Sequence, residues 1–183
     1  LEEKGEENRF VFGMEESLGG SYVRDKDAVI ASMLICEMAA FYKEKGLLLT
    51  DVLEGLYKKY GYYFCSQKSF TCEGESGMKQ IAGIMEALRN NIPKSIADEK
   101  VVRADDYEKS LSFNLENGEK SKIILPISNV LCYILADGSS LIVRPSGTEP
   151  KIKIYLSAVG KTEKDAEYKR KALEKSGTEL LGF

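Results

Sequence analysis

The spacing of apolar positions changes along the chain. Up to about residue 95 they recur mainly at helical intervals. Residues 25–45 carry Ala28, Val29, Met33, Leu34, Ile35, Met38 and Phe41 around most of a helical circumference, with Asp25 as a capping residue and Gly46 as a stop. A helix apolar on so much of its surface is expected at the centre of a core. Thr50 predicts the cap of a second helix, with Val52, Leu53, Leu56 and Tyr57 on one side and Gly61 beyond its end. Ser76 predicts the cap of a third, running to about Asn90 and stopped before Pro93. Residues 9–12 and the aromatic run 62–71 read as strands.

Residues 91–99 read as a linker. Beyond it the pattern shortens to strands at 101–104, 111–115, 123–125, 130–135, 141–143 and 151–158. Asn117-Gly118 and Asp137-Gly138 are turn signals between them. A charged helix closes the chain from Thr162, with Ala166, Leu173 and Leu180 among its few apolar positions. The expected fold class is therefore α/β plus α+β: an incomplete mixed α/β domain over 1–95, then a small α+β domain over 99–183 with an antiparallel sheet and helices. The first unit has too few strands to cover the helix at 25–45. Strands supplied upstream would complete it, so the chain reads as an excised or truncated piece.

The bulk properties narrow the chemistry. The 183 residues carry 26 basic and 29 acidic side chains, a formal charge of 26 − 29 = −3. No global positive field attracts nucleic acid, and Tyr60, Tyr62, Tyr63 and Phe64 are not interleaved with a basic stripe. The most apolar stretch, 28–42, is broken by Glu37 and too short for a membrane span, so neither nucleic acid nor membrane is expected as a partner. Cys36, Cys65, Cys72 and Cys132 have no metal-ligand spacing, which fits a reduced, cytoplasmic protein. There is no histidine. Mechanisms built on Ser-His, Cys-His or His-metal pairs are excluded within these residues, and acid–base work falls to Asp, Glu, Lys or Tyr.

Two loops concentrate candidate chemistry. Arg144-Pro-Ser-Gly-Thr-Glu-Pro150 lies between two strands. Arg144 offers a planar fork suited to phosphate, Ser146 and Thr148 offer hydroxyls, and Gly147 permits close backbone approach. The prolines stiffen the loop. Its other reading is a plain hairpin tip carrying an arginine. The second loop, Gly13-Met-Glu-Glu-Ser-Leu-Gly19, places carboxylates and a serine after a strand, a combination suited to a polyol or to a solvated acidic turn. Arg24 and Lys26 follow at a helix start, where the macrodipole disfavours cations. They suit an anionic ligand or surface pairing with Asp25 and Asp27. The Cys72–Gly77 segment reads as a turn and cap, and Asp105-Asp106 lacks a third ligand for a metal.

Together these loops resemble the α-D-phosphohexomutase superfamily, in its phosphoglucomutase/phosphomannomutase branch. The resemblance rests on Gly13-Met-Glu-Glu-Ser-Leu-Gly19, Val23-Arg-Asp-Lys-Asp27 and Arg144-Pro-Ser-Gly-Thr-Glu-Pro150, and covers nearly the whole chain. It implies most of a third domain and all of a fourth, the latter TATA-binding-protein-like. It implies sugar contacts from Glu15 and Ser17, and phosphate contacts from Arg144, Ser146, Gly147, Thr148 and Lys153. Arg24 joins the substrate-binding set, and Lys26 is the catalytic candidate for proton transfer or phosphate contact. The implied reaction interconverts hexose 1-phosphate and hexose 6-phosphate through a hexose 1,6-bisphosphate, using a phosphoserine and Mg²⁺ held in earlier domains. No Thr-Ala-Ser-His-Asn-Pro-like or Asp-Gly-Asp-Gly-Asp-Arg-like loop occurs here. The expected partners are a hexose phosphate and the missing N-terminal domains of the same chain. The 183 residues alone are expected to be inactive, because positioning without a phosphoryl donor transfers nothing. The alternative is a non-catalytic phosphosugar-binding or regulatory module.

Overall fold

The computed structural model describes residues 28–74 and 76–183. They divide into two compact units, one ending at Leu56 and the other running from Tyr57 to Phe183.

In the first unit, helix α1 spans Ala28–Glu44. Its end obeys the sequence signal. Gly46 turns left-handed at φ 71°, Leu47 N–H donates to Tyr42 O and Gly46 N–H to Lys43 O, both at 3.0 Å, which is a Schellman closure. Its burial does not follow the sequence. Ala31 is the buried residue of α1, while Met38 is 44% and Phe41 51% exposed. An apolar circumference sets what a helix gains from burial; a second surface must exist to cover it. The expectation of a central core helix is thus not met among the described residues. Helix α2, Leu49–Tyr60, starts one residue before the predicted Thr50 cap. Asp51 reaches back instead, its Oδ2 accepting from Leu48 N–H at 2.8 Å.

The second unit is an antiparallel sheet with helices on one face. Its strands are β1 (Tyr62–Thr71), β2 (Ser95–Ile96), β3 (Glu99–Asp106), β4 (Leu111–Asn114), β5 (Lys120–Lys122), β6 (Leu131–Leu135), β7 (Ser140–Pro145) and β8 (Lys151–Gly160). They lie in the order β1-β8-β7-β6-β3-β4-β5, with β2 paired to β3. Helices α3 (Gly77–Asn90) and α4 (Glu163–Leu180) pack against it. The core holds Phe70 of β1, Ile81, Met85 and Leu88 of α3, Leu141 and Val143 of β7, Ile152, Ile154 and Leu156 of β8, and Leu173 of α4. Every second residue of β8 is buried, as a one-sided sheet requires.

Three expectations are corrected. The chain divides before residue 57, not at 91–99, because β1 runs beside β8 over ten register pairs from Tyr62↔Gly160 to Thr71↔Lys151. The predicted linker is part of the fold: Ile96 is buried, and Ser95 and Ile96 pair with Lys100 and Glu99. The strand expected at 123–125 sits earlier, as β5, and Ile124 is exposed. Gly118, at φ 75°, brings the chain back early enough for Lys120–Lys122 to pair with Leu111–Phe113.

Candidate functional site

The loop 146–150 hangs between β7 and β8, and its ends are fixed by the ladder. Ser146 N–H donates to Lys151 O at 2.8 Å. Pro145 therefore turns its nitrogen toward β6, which has already ended at Leu131 opposite Val143, and its missing N–H costs no ladder bond. The loop is also anchored from below. Cys72 N–H donates to Pro150 O at 2.9 Å, and a Cβ on Gly77 would meet Cys72 O at 2.2 Å and Pro150 Cβ at 3.0 Å. The glycine at the head of α3 is what lets the helix seat against the loop.

Within the loop, Ser146 Oγ accepts from Thr148 N–H at 3.4 Å and Glu149 N–H at 3.2 Å. Those two amides serve the loop's own turn, so the expected cradle of backbone donors is reduced to Gly147 N–H. The hydroxyl protons of Ser146 and Thr148 remain as donors. Gly147 does not adopt a positive φ, and a Cβ there would meet nothing within 4 Å. The space beside it is open, and no special backbone conformation requires a glycine there.

Arg144 and Lys153 are direct cross-strand partners on the sheet face opposite the helices. Like charges set opposite each other destabilise a sheet. Among the described residues neither has a side-chain hydrogen bond or ion pair, unlike Lys151, whose Nζ lies 3.2 and 3.3 Å from the two Glu149 carboxylate oxygens. Two adjacent cations without a counter-ion among the described residues, beside a loop with free donors, are chemically suited to a multivalent anion. The register adds a third residue to this row, Ser69 of β1. Sequence reasoning placed β1 in the first domain and so passed over it.

Glu15, Ser17, Arg24 and Lys26 lie outside the described residues. The four cysteines are unpaired, and burial with the neighbouring Asp105 carboxylate pushes the Cys132 thiol up to about 11, leaving it an inert core residue. The acidic pair is committed elsewhere. Asp105 accepts from Ser112 Oγ at 2.5 Å and pairs with Arg103, while Asp106 takes Arg89 and the amides of Glu108 and Lys109. No group of three or more metal-ligating side chains occurs among the described residues. Nor is any described helix long and apolar enough to cross a membrane.

Comparison with known proteins bears on the family and the fold. Residues 71–175 match the family model described as phosphoglucomutase/phosphomannomutase, C-terminal domain, and residues 1–60 match its alpha/beta/alpha domain III. A phosphoglucomutase of Staphylococcus haemolyticus is 38% identical over 160 residues, 86% of this chain and 29% of that protein. One from Staphylococcus aureus is 41% identical over 150 residues, 80% of this chain and 27% of that protein. The solved Paramecium structure of the exocytosis-sensitive phosphoprotein pp63/parafusin, a phosphoglucomutase in its open form, superposes with a TM-score of 0.60 at 18% identity, covering 90% of this chain and 28% of that one. It shares the fold. The chain thus spans under a third of the length of these relatives. With both domain models matching in chain order, the first ending at residue 60 and the second embracing the Arg144 loop, the chain belongs to the phosphoglucomutase/phosphomannomutase family.

Proposed function

We propose that these residues form the C-terminal, substrate-holding part of a mutase that moves a phosphoryl group between the 1- and 6-hydroxyls of a hexose. The observation that carries the proposal is the uncompensated pair Arg144 and Lys153 beside the free donors of Ser146, Gly147 and Thr148. This set grips the phosphate that is not being transferred. Glu15 and Ser17 hold ring hydroxyls, Arg24 adds a cationic contact, and Lys26 moves a proton or steadies a phosphate. The phosphoryl donor and the Mg²⁺ that neutralises developing charge belong to the preceding domains; the acidic pair Asp105-Asp106 here is turned to structural partners. A hexose 1,6-bisphosphate is the intermediate that must rotate between half-reactions. The compartment is the cytoplasm, in keeping with four unpaired cysteines. A self-contained regulatory module has less support, because the relatives are phosphoglucomutases of which this chain covers under a third.

The test is glucose 1-phosphate turnover. The 183-residue chain alone is expected to give none, and turnover by it would overturn the division of labour. In the full-length parent, Arg144→Ala is expected to cost about 1.5–3 kcal/mol of transition-state stabilisation, read as kcat/KM, the worth of a charge-assisted hydrogen bond. An unchanged kcat/KM would remove Arg144 from the phosphate site.

A further inference from the structure

We infer that Ser69 of β1 is a third-strand donor in the phosphate site, an inference that rests on the phosphate reading of the Arg144 loop. The register sets Ser69 opposite Lys153, and Lys153 opposite Arg144, so one straight row crosses β1, β8 and β7. Strands stand about 4.8 Å apart, which places Lys153 midway between a hydroxyl and a guanidinium whose backbones are about 10 Å apart. All three side chains are on the face away from the helices. Their strand neighbours Phe70, Ile152, Ile154 and Val143 fill the opposite, buried face.

The row has what an anion needs and what the protein leaves unused. Ser69 is exposed, and among the described residues its hydroxyl has no partner. It lies on the flank of Lys153 that Arg144 does not reach. A phosphate held over Lys153 would take guanidinium donors from one side and the Ser69 O–H from the other, closing a site that the loop alone leaves open toward β1.

The next row of the same face provides an internal control. Thr71 stands opposite Lys151, about 6.8 Å along the strand. There the ammonium is already neutralised by Glu149, whose carboxylate would repel a phosphate. The hydroxyl of Thr71 is of the same chemistry as that of Ser69, but its row lacks a free cation. The anion therefore settles on the Ser69 row.

The experiment titrates the 183-residue chain with inorganic phosphate and with glucose 6-phosphate, following amide shifts by NMR. Ser69→Ala is expected to weaken both about tenfold, the effect of one charge-assisted hydrogen bond, with an unchanged melting temperature. Ser69→Thr is expected to restore binding to within about threefold, and Thr71→Val to change it less than twofold. If Arg144→Ala weakens binding tenfold or more while Ser69→Ala stays within twofold of the parent chain, Ser69 is outside the site and the phosphate reading survives. If neither probe binds, or Arg144→Ala has no effect, the phosphate reading fails and this inference falls with it.

Discussion

Helices α1 and α4 invert the usual relation between composition and burial. Three of the seventeen residues of α1 are charged, yet most of its apolar side chains face outward among the described residues. Ten of the eighteen residues of α4 are charged, yet it closes the core of the second unit. It does so through one narrow stripe, Ala166, Leu173 and Gly177, spaced to fall on one side of a helix. Its charges work on the flanks. Arg170 ties Glu167 and Glu174 at 2.8 and 3.0 Å, and Glu174 reaches Lys68 of β1 at 3.5 Å. What buries a helix is a complementary surface within reach, and α4 has β8 and β1 while α1 has no such sheet among the described residues.

The largest expected effect falls on the stripe. Leu173→Ala removes a side chain that is 2% exposed and is expected to destabilise the second unit by about 2–5 kcal/mol, measured by urea denaturation. A loss below about 1 kcal/mol would mean that α4 does not close this core. Next is Gly177→Ala. A Cβ there would stand 2.8 Å from Leu141 Cδ1 and 3.0 Å from Ile154 Cδ1. Both are ends of flexible side chains, so the expected cost is about 1–3 kcal/mol; an unchanged melting temperature would show that the helix seats less closely.

A smaller effect tests how α4 is pinned to the β6–β7 turn. Lys169 Nζ donates to Asp137 Oδ2 at 2.7 Å, and Ser139 also donates to that carboxylate. Burial raises the Asp137 carboxyl, but the bonds from Lys169 and Ser139 outweigh it and hold it below its usual value. The Lys169 ammonium is correspondingly held above its own, chiefly by its bond to Asp137. A depressed carboxyl stabilises above the unfolded value, about pH 4, and loses that contribution as pH falls through the folded one. A raised ammonium stabilises below about pH 10.4 and loses it as pH rises through its folded value. Asp137→Asn should therefore cost about 1 kcal/mol on a plateau between those limits, shrinking at both ends. A difference that is flat with pH would show that packing, not charge, pins the turn. The smallest effect is expected on the other helix. Met38→Ala, 44% exposed, should change the stability of this chain by less than about 0.5 kcal/mol. A loss of 2 kcal/mol would mean that α1 is covered in solution and would end the contrast.

Much of the architecture was legible because local rules govern it. The strand at 62–71, the helix ending at Asn90, the Gly46 stop and the Thr162 cap all follow from residues within a few positions of one another. The loop 144–150 was legible for the same reason, since its donors are contiguous. Less was readable where distant segments meet. Linker and strand look alike at 91–99 until β3 presents an edge for Ser95 and Ile96.

The amino-acid order by itself determined the periodicities, the turns, the lack of histidine chemistry and the cluster of hydrogen-bond donors at 144–148, because each is a property of short stretches. Only the tertiary structure decided that β1 lies against β8, which brings Ser69, Lys153 and Arg144 into one row across eighty-odd residues of chain. Strand pairing between remote segments is chosen by the whole sheet's burial of one face, and no local pattern encodes which edge a strand will join.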